Sequence, residues 1–225
     1  MQILHLLQLA DTALPVGGFS FSNALESAAQ YGFVRDADSL AAYTFAAMQL
    51  ASTTDCVAAR AAYRATLARD FARIVEADGA LCERKLCAEQ RSMSQRMGRK
   101  LAELSVALNE NDMLCRWLAA IRSAEVEGSY AVGQGICFGV CGVSEREMFG
   151  AMLYGVASMT LNASLRLMRI SHLDTQRILY DLALRIDGLY AQSEGLTLDD
   201  MYAFAPQIDL LSSLHEKGRS RMFMN

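Results

Sequence analysis

The sequence predicts an all-α fold: one helical domain spanning residues 1–225, a bundle of about ten helices. Three observations carry this. Pro15 and Pro206 are the only prolines, and they stand near opposite ends, whereas a β-rich chain carries turn residues about every 8–12 positions. No segment alternates polar and apolar residues as a half-solvated strand does. Apolar residues make up 52 % of the chain and recur at helical spacing, enough for one substantial core.

Taken in order, Ile3, Leu6, Leu7 and Ala10 form an amphipathic opening helix that ends at Asp11 or Thr12, before the Pro15-Val16-Gly17-Gly18 breaker. A second helix starts at Ser20 or Ser22, carries Ala24, Leu25, Ala28 and Ala29, and stops at Gly32. Asp36 or Asp38 caps the next, whose inner stripe is Leu40, Tyr43, Ala47, Leu50 and Ala51. Thr53-Thr54-Asp55 caps a helix through Val57, Ala61, Arg64 and Leu67. Residues 71–109 favour helix almost throughout, with a break at Asp78-Gly79. Helices follow over 112–125, 129–140, 144–169 and 174–192, with a shorter one at 198–203 and another from Ile208.

Ser144-Glu145-Arg146-Glu147 fits the S-x-x-E capping box, which satisfies two orphan N–H groups at a helix start. Ala131, Gly135 and Gly139 recur every fourth residue on one face. Interior glycine costs about 0.5–1 kcal/mol against alanine, so the stripe implies close backbone approach by a neighbour. The long helix with Gly150 and Gly155 is the expected neighbour, and a dimer or partner seam is the alternative.

Net charge is −4, with no basic stripe, which argues against nucleic-acid binding. Met1 to Ala10 lacks the basic start and cleavage site of a signal peptide. Met148–Leu165 is long enough for a membrane span, but Tyr154, Ser158, Thr160, Asn162 and Ser164 interrupt it and Arg166 and Arg169 close it. It reads as a buried helix. The six cysteines form no C-x-x-C and read as reduced, buried thiols, which places the chain in the cytoplasm.

Catalytic signatures are absent. There is no P-loop. Gly133, Gly135 and Gly139 miss dinucleotide spacing by one residue, with no strand before them. His215-Glu216 begins like H-E-x-x-H, but Arg219 occupies the second histidine's place. His5 and His172 have no metal-ligand partners at tight spacing.

The two ends are more distinctive. Asp11, Pro15, Gly17, Phe19, Ser22, Leu25 and Glu26 fit the pattern D-x-x-x-P-x-G-x-[FY]-x-x-S-x-x-[LF]-E. Glu89 and Arg91, then Met97-Gly98-Arg99, form an E-x-R…M-G-R helix, followed by the small-residue stretch from Ser129 to Gly139. Pro206, Asp209, His215, Glu216, Ser220, Arg221 and Phe223 match the ending P-x-x-D-I-x-x-M-x-H-E-x-Q-x-S-R-L-F. Together, in this order, these segments resemble the urease accessory protein F (UreF) family over nearly the whole chain. The chain departs from the family at residues 169–176, where only Gln176 is kept, and at Gly218, where the family has Gln.

The resemblance implies a non-catalytic, homodimeric assembly factor. Such a protein joins a UreD/UreH-type subunit, recruits the GTPase UreG and supports nickel insertion into apo-urease. It implies no cofactor on this chain, since nickel and GTP are handled by partner subunits, and it allows modulation of UreG hydrolysis through an arginine such as Arg91 or Arg99. The implied partner-binding elements are residues 1–20 and 206–225. The residues that would carry contact are Pro15, Gly17, Phe19, Ser22, Glu26, Arg91, Arg99, His215, Glu216, Ser220, Arg221 and Phe223. Leu210, Leu211 and Leu214 share one helix face with Met222 and Phe223 beyond, a stripe that either docks on its own domain or fits a partner's groove. Two other readings stand beside this one. One is a nickel carrier using Cys and His from separate helices; the other is a helical enzyme using Glu26, Glu89 or His215 as acid or base.

Overall fold

The computed structural model describes residues 2–203, 205–216 and 221–224, with Gln2 described by its backbone alone. Among them are twelve α-helices and no strand. They are α1 (Gln2–Ala10), α2 (Leu25–Gln30), α3 (Ala37–Thr53), α4 (Asp55–Ala68), α5 (Phe71–Arg84), α6 (Ala88–Leu108), α7 (Asp112–Arg122), α8 (Tyr130–Val140), α9 (Glu145–Leu167), α10 (His172–Ala183), α11 (Ile186–Ser193) and α12 (Pro206–Glu216). The all-α expectation holds, and the helix starts follow local chemistry. Asp36 accepts from Ser39 N in a capping box, as does Ser144 with Glu147 and Ser171 with Asp174.

Two helices organise the core. α8 is apolar all round and is enclosed by α4, α5, α6, α7 and α9. α9 is flanked by α1, α2, α3, α10 and α11. α9 is long and apolar enough to cross a membrane by length and composition, yet 56 % of its most apolar window is buried within the fold. α12 lies across α2 and α6, so the last helix meets the first part of the chain.

The small-residue face of α8 meets α4, not the expected α9. A Cβ on Gly135 would fall 2.2 Å from the Ala59 carbonyl oxygen, and one on Gly139 would meet Thr66 and Tyr63. The reason lies opposite: α4 presents Ala58, Ala59, Ala62 and Ala65, so two small faces close on each other.

Four boundaries differ from expectation. The second helix begins at Leu25, because Asn23 and Ala24 adopt φ of 53° and 62°. That turn is held by the Tyr43 hydroxyl donating to the Asn23 carbonyl at 2.7 Å. α5 runs straight through Asp78-Gly79, because the Asp78 side chain turns inward to bond the start of α8 rather than its own backbone. The break falls instead at residues 85–87. The helix expected over 174–192 divides into α10 and α11, which sets the Tyr190 ring edge-on to Phe149 and Arg185 over Phe45. Residues 198–203 are not helical: Asp200 accepts from Thr197 N and Oγ1, closing a turn that buries Met201.

All six cysteines are unpaired by disulfides; Cys56, Cys87 and Cys137 are buried, and burial raises their thiol pKa.

Candidate functional site: a charged clasp between the chain ends

α2, the first turn of α6, the last turn of α12 and the tail meet at one place. Glu26 of α2 is buried, with Ser22 accepting from its N–H at the helix start. Its Oε1 accepts from Met222 N at 2.7 Å, and its Oε2 from Phe223 N at 2.9 Å. His215, 2 % exposed, sits between two carboxylates, with Nε2 3.1 Å from Glu26 Oε2 and Nδ1 2.7 Å from Glu89 Oε2. Arg221 donates to the other oxygen of Glu89. Burial alone would raise the Glu26 pKa, but the two backbone N–H groups and His215 outweigh it and hold the carboxyl below 4.5.

Glu216 completes the clasp from outside. Its Oε1 accepts from the Cys87 thiol at 2.9 Å and from Glu89 N at 3.1 Å. Cys87, the N-cap of α6, makes no side-chain cap bond of its own, so a carboxylate from α12 serves the α6 N-terminus. The Cys87 and Glu89 donors hold Glu216 below the usual carboxylate range.

The tail also binds the N-terminal loop. Met224 N donates to Ser20 O at 2.8 Å, and Phe223 is buried beneath Arg166, whose guanidinium carbon lies 4.3 Å from the ring centre. Arg166 also donates to the Phe19 carbonyl. The loop earns its glycine: Gly17 has φ of 86° between Pro15 and a single 3₁₀ turn at Gly18–Ser20.

Beside the clasp lies a cavity of about 580 Å³, bounded by residues 9–23, by α3, α6, α8 and α9, and by the start of α4 and Ile208 of α12. Met93, Met97, Met152 and Met159 line it, with the Asp55–Lys85 ion pair (2.9 Å). Glu26, Glu89 and His215 do not line it. These three residues are the acid–base set of the enzyme reading, and the fold does bring them together. Their side chains, however, bond one another, the tail and Gln30 of α2.

Of the residues singled out by sequence, Ser22, Glu26, His215, Glu216, Arg221 and Phe223 assemble here. Pro15, Gly17 and Phe19 shape the adjoining loop, and Phe19 is 74 % exposed. Ser220 and Gly218 lie outside the described residues. Arg91 stands apart, donating to the Lys85 and Leu86 carbonyls between α5 and α6. Arg99 is exposed further along α6. The tail stripe has a different phase from the one expected: Ile208, Leu211, Ser212 and His215 face inward while Leu210 points out. Helical spacing allows either set, and Glu26 and Glu89 select the face that carries His215. Sequence reasoning missed Arg166, which is distant in the chain from both Phe19 and Phe223, the residues it joins.

Among the described residues no group of three His, Cys, Asp or Glu side chains is arranged to hold a metal ion.

Comparison with known proteins identifies the family. A family model described as UreF matches residues 34–183. Urease accessory protein UreF 1 of Brucella melitensis is 45 % identical over 99 % of this chain and 92 % of its own length. UreF 2 of Brucella abortus has the same identity and coverage, and UreF of Yersinia enterocolitica is 39 % identical over 99 % and 98 %. The family model covers Cys87, Glu89 and Arg166 but leaves out Glu26, His215 and the tail, whereas the alignments with whole relatives span 223 residues and so include them. This chain belongs to the UreF family of urease accessory proteins.

Proposed function

We propose that this chain is a non-catalytic scaffold of urease maturation in the cytoplasm. It binds a UreD/UreH-type subunit, and the pair recruits the GTPase UreG to place nickel into apo-urease. Nickel and GTP are handled by the partners. The supporting observation is the convergence of the two ends: among the described residues, Met222 and Phe223 of the tail donate to Glu26, and Met224 donates to Ser20. Ile3, Leu4 and Leu7 of α1, Phe19 of the loop and Met222 of the tail are all exposed. Large apolar groups left exposed at both ends suit burial by another subunit.

Phe19 is the residue to test, because its ring is exposed while only its backbone carbonyl is used internally. Phe19→Asp is expected to leave the thermal melt unchanged. It should weaken capture of the UreD/UreH-type subunit by about 2 kcal/mol, roughly thirtyfold in Kd. Binding at wild-type strength would remove the loop from the interface.

The homodimer has a separate candidate face. Leu173, Arg177 and Tyr180 of α10 and its C-cap Leu184 follow one another at i, i+4, i+7 and i+11, and the three apolar members are exposed. This is seam spacing, and an antiparallel two-fold sets Arg177 against Tyr180 of the second copy. Leu184→Glu is expected to convert dimer to monomer in light scattering. A dimer of unchanged strength would place the interface elsewhere.

A further inference from the structure

We infer that His215 is a proton-dependent clasp: its doubly protonated ring docks the C-terminal tail onto the N-terminal loop, and a change in its charge or in that of Glu26 releases the tail.

The geometry requires the charge. Carboxylates only accept, and a neutral imidazole carries one N–H. With Glu89 Oε2 at 2.7 Å from Nδ1 and Glu26 Oε2 at 3.1 Å from Nε2, a neutral ring would point one lone pair at an anionic oxygen. At 2 % exposure no bulk water stands in. Only the imidazolium donates to both. The facing charged groups are Glu26 from α2, Glu89 from α6 and Arg221 from the tail, bonded to Glu89. Two anions thus meet two cations while the ring is charged, and deprotonation leaves a buried excess of negative charge.

The two carboxylates that His215 spans are the ones that hold the tail. Glu26 takes the N–H groups of Met222 and Phe223, and Glu89 takes Arg221. Tail docking therefore has two limits. On the acid side, Glu26 is held below 4.5 in the docked state. Its contribution is complete above that value and is lost as pH falls through the lowered one. On the alkaline side, the ring gives up a proton and one of its donors. Between these limits the tail is clasped; beyond either, the Phe223 slot opens and Arg221 is freed. This inference rests on the clasp alone and needs no particular partner.

Hydrogen–deuterium exchange of the full chain tests it without any partner present. Exchange of the peptide containing Met222 and Phe223 is followed from about pH 4 to about pH 9, a range covering ordinary carboxylate and imidazole titration. Rates are corrected for intrinsic exchange and referred to α8, which reports global unfolding. Protection should form a bell, dropping at least about tenfold on each side while α8 stays protected. His215→Gln should lower the plateau and abolish the alkaline limb. A flat profile, or an alkaline limb that survives H215Q, would overturn the proposal. Should H215Q not fold, ¹⁵N shifts of the wild-type ring decide: a neutral tautomer at a pH where the tail is protected refutes it, and an imidazolium supports it.

Discussion

Gly135→Ala is expected to destabilise the protein by about 3 kcal/mol, near the upper end for overpacking, with a fall in Tm of roughly 6–12 °C for a chain of this size. The added methyl would sit 2.2 Å from the Ala59 carbonyl oxygen, 3.0 Å from the carbonyl carbon and 3.1 Å from Cα. All three are backbone atoms of α4, so no rotamer change relieves the contact. α4 and α8 must separate along their length, loosening Ala58, Ala62 and Ile136, which are fully buried. Alanine's better helix propensity returns only about 0.5–1 kcal/mol. Gly79→Ala is the control. It stands mid-helix in α5 with open space around a new Cβ, so the propensity gain should appear unopposed. Thermal melts of the two variants should move in opposite directions; equal melts would mean that the α4–α8 approach is looser than described.

The second large effect is expected at Asp78. Its carboxylate is buried in α5, where Oδ2 accepts from Gly128 N at 2.9 Å and Oδ1 accepts from Ser129 N at 2.8 Å and from the Ser129 hydroxyl. Ser129 is the N-cap of α8 but forms no side-chain cap bond of its own; Asp78, fifty residues away, instead holds the N–H groups of Gly128 and Ser129 that lead into the helix. Asp78→Ala strands two buried N–H groups at the start of the central helix and should cost about 3–5 kcal/mol. Asp78→Asn keeps one acceptor oxygen but turns an NH₂ toward the other N–H, and should cost about half as much. Urea unfolding followed by circular dichroism measures both, and the order alanine worse than asparagine is the telling outcome. Equal losses would show that the hydrogen bonds contribute little beyond the volume they fill.

Both effects depend on contacts that local patterns do not reveal. Asp78-Gly79 has the composition of a turn, and its reading as a break follows from local propensity. The fold overrides it because Asp78 gains more from the N–H groups of Gly128 and Ser129, leading into α8, than from its own backbone. The glycine stripe on α8 is legible as a close-approach face, but which helix approaches is not, since α4 and α9 both carry small residues. The boundaries read correctly were those set by short-range chemistry, such as the capping box at Ser144 and Glu147.

The clasp divides along the same line. Its members were visible as motif residues at the two ends and in the helix carrying Glu89. Their meeting was not visible, because Glu26 and His215 are 189 positions apart. Nor was its consequence: the sequence left open whether the tail helix docks on its own domain or fits a partner's groove, and the fold buries Ile208, Leu211 and His215 within the domain.

By itself, the sequence determined that this protein is all helix, where most of its helices start, and that its ends carry the family's most distinctive residues. Those features follow from interactions within a few residues, where spacing along the chain equals spacing in space. Only the tertiary structure decided that α8 seats α4, that Asp78 holds the turn leading into a distant helix, and that His215 bridges two carboxylates to hold the tail. Each of those depends on burial removing water from groups brought together by packing, which no local window of sequence contains.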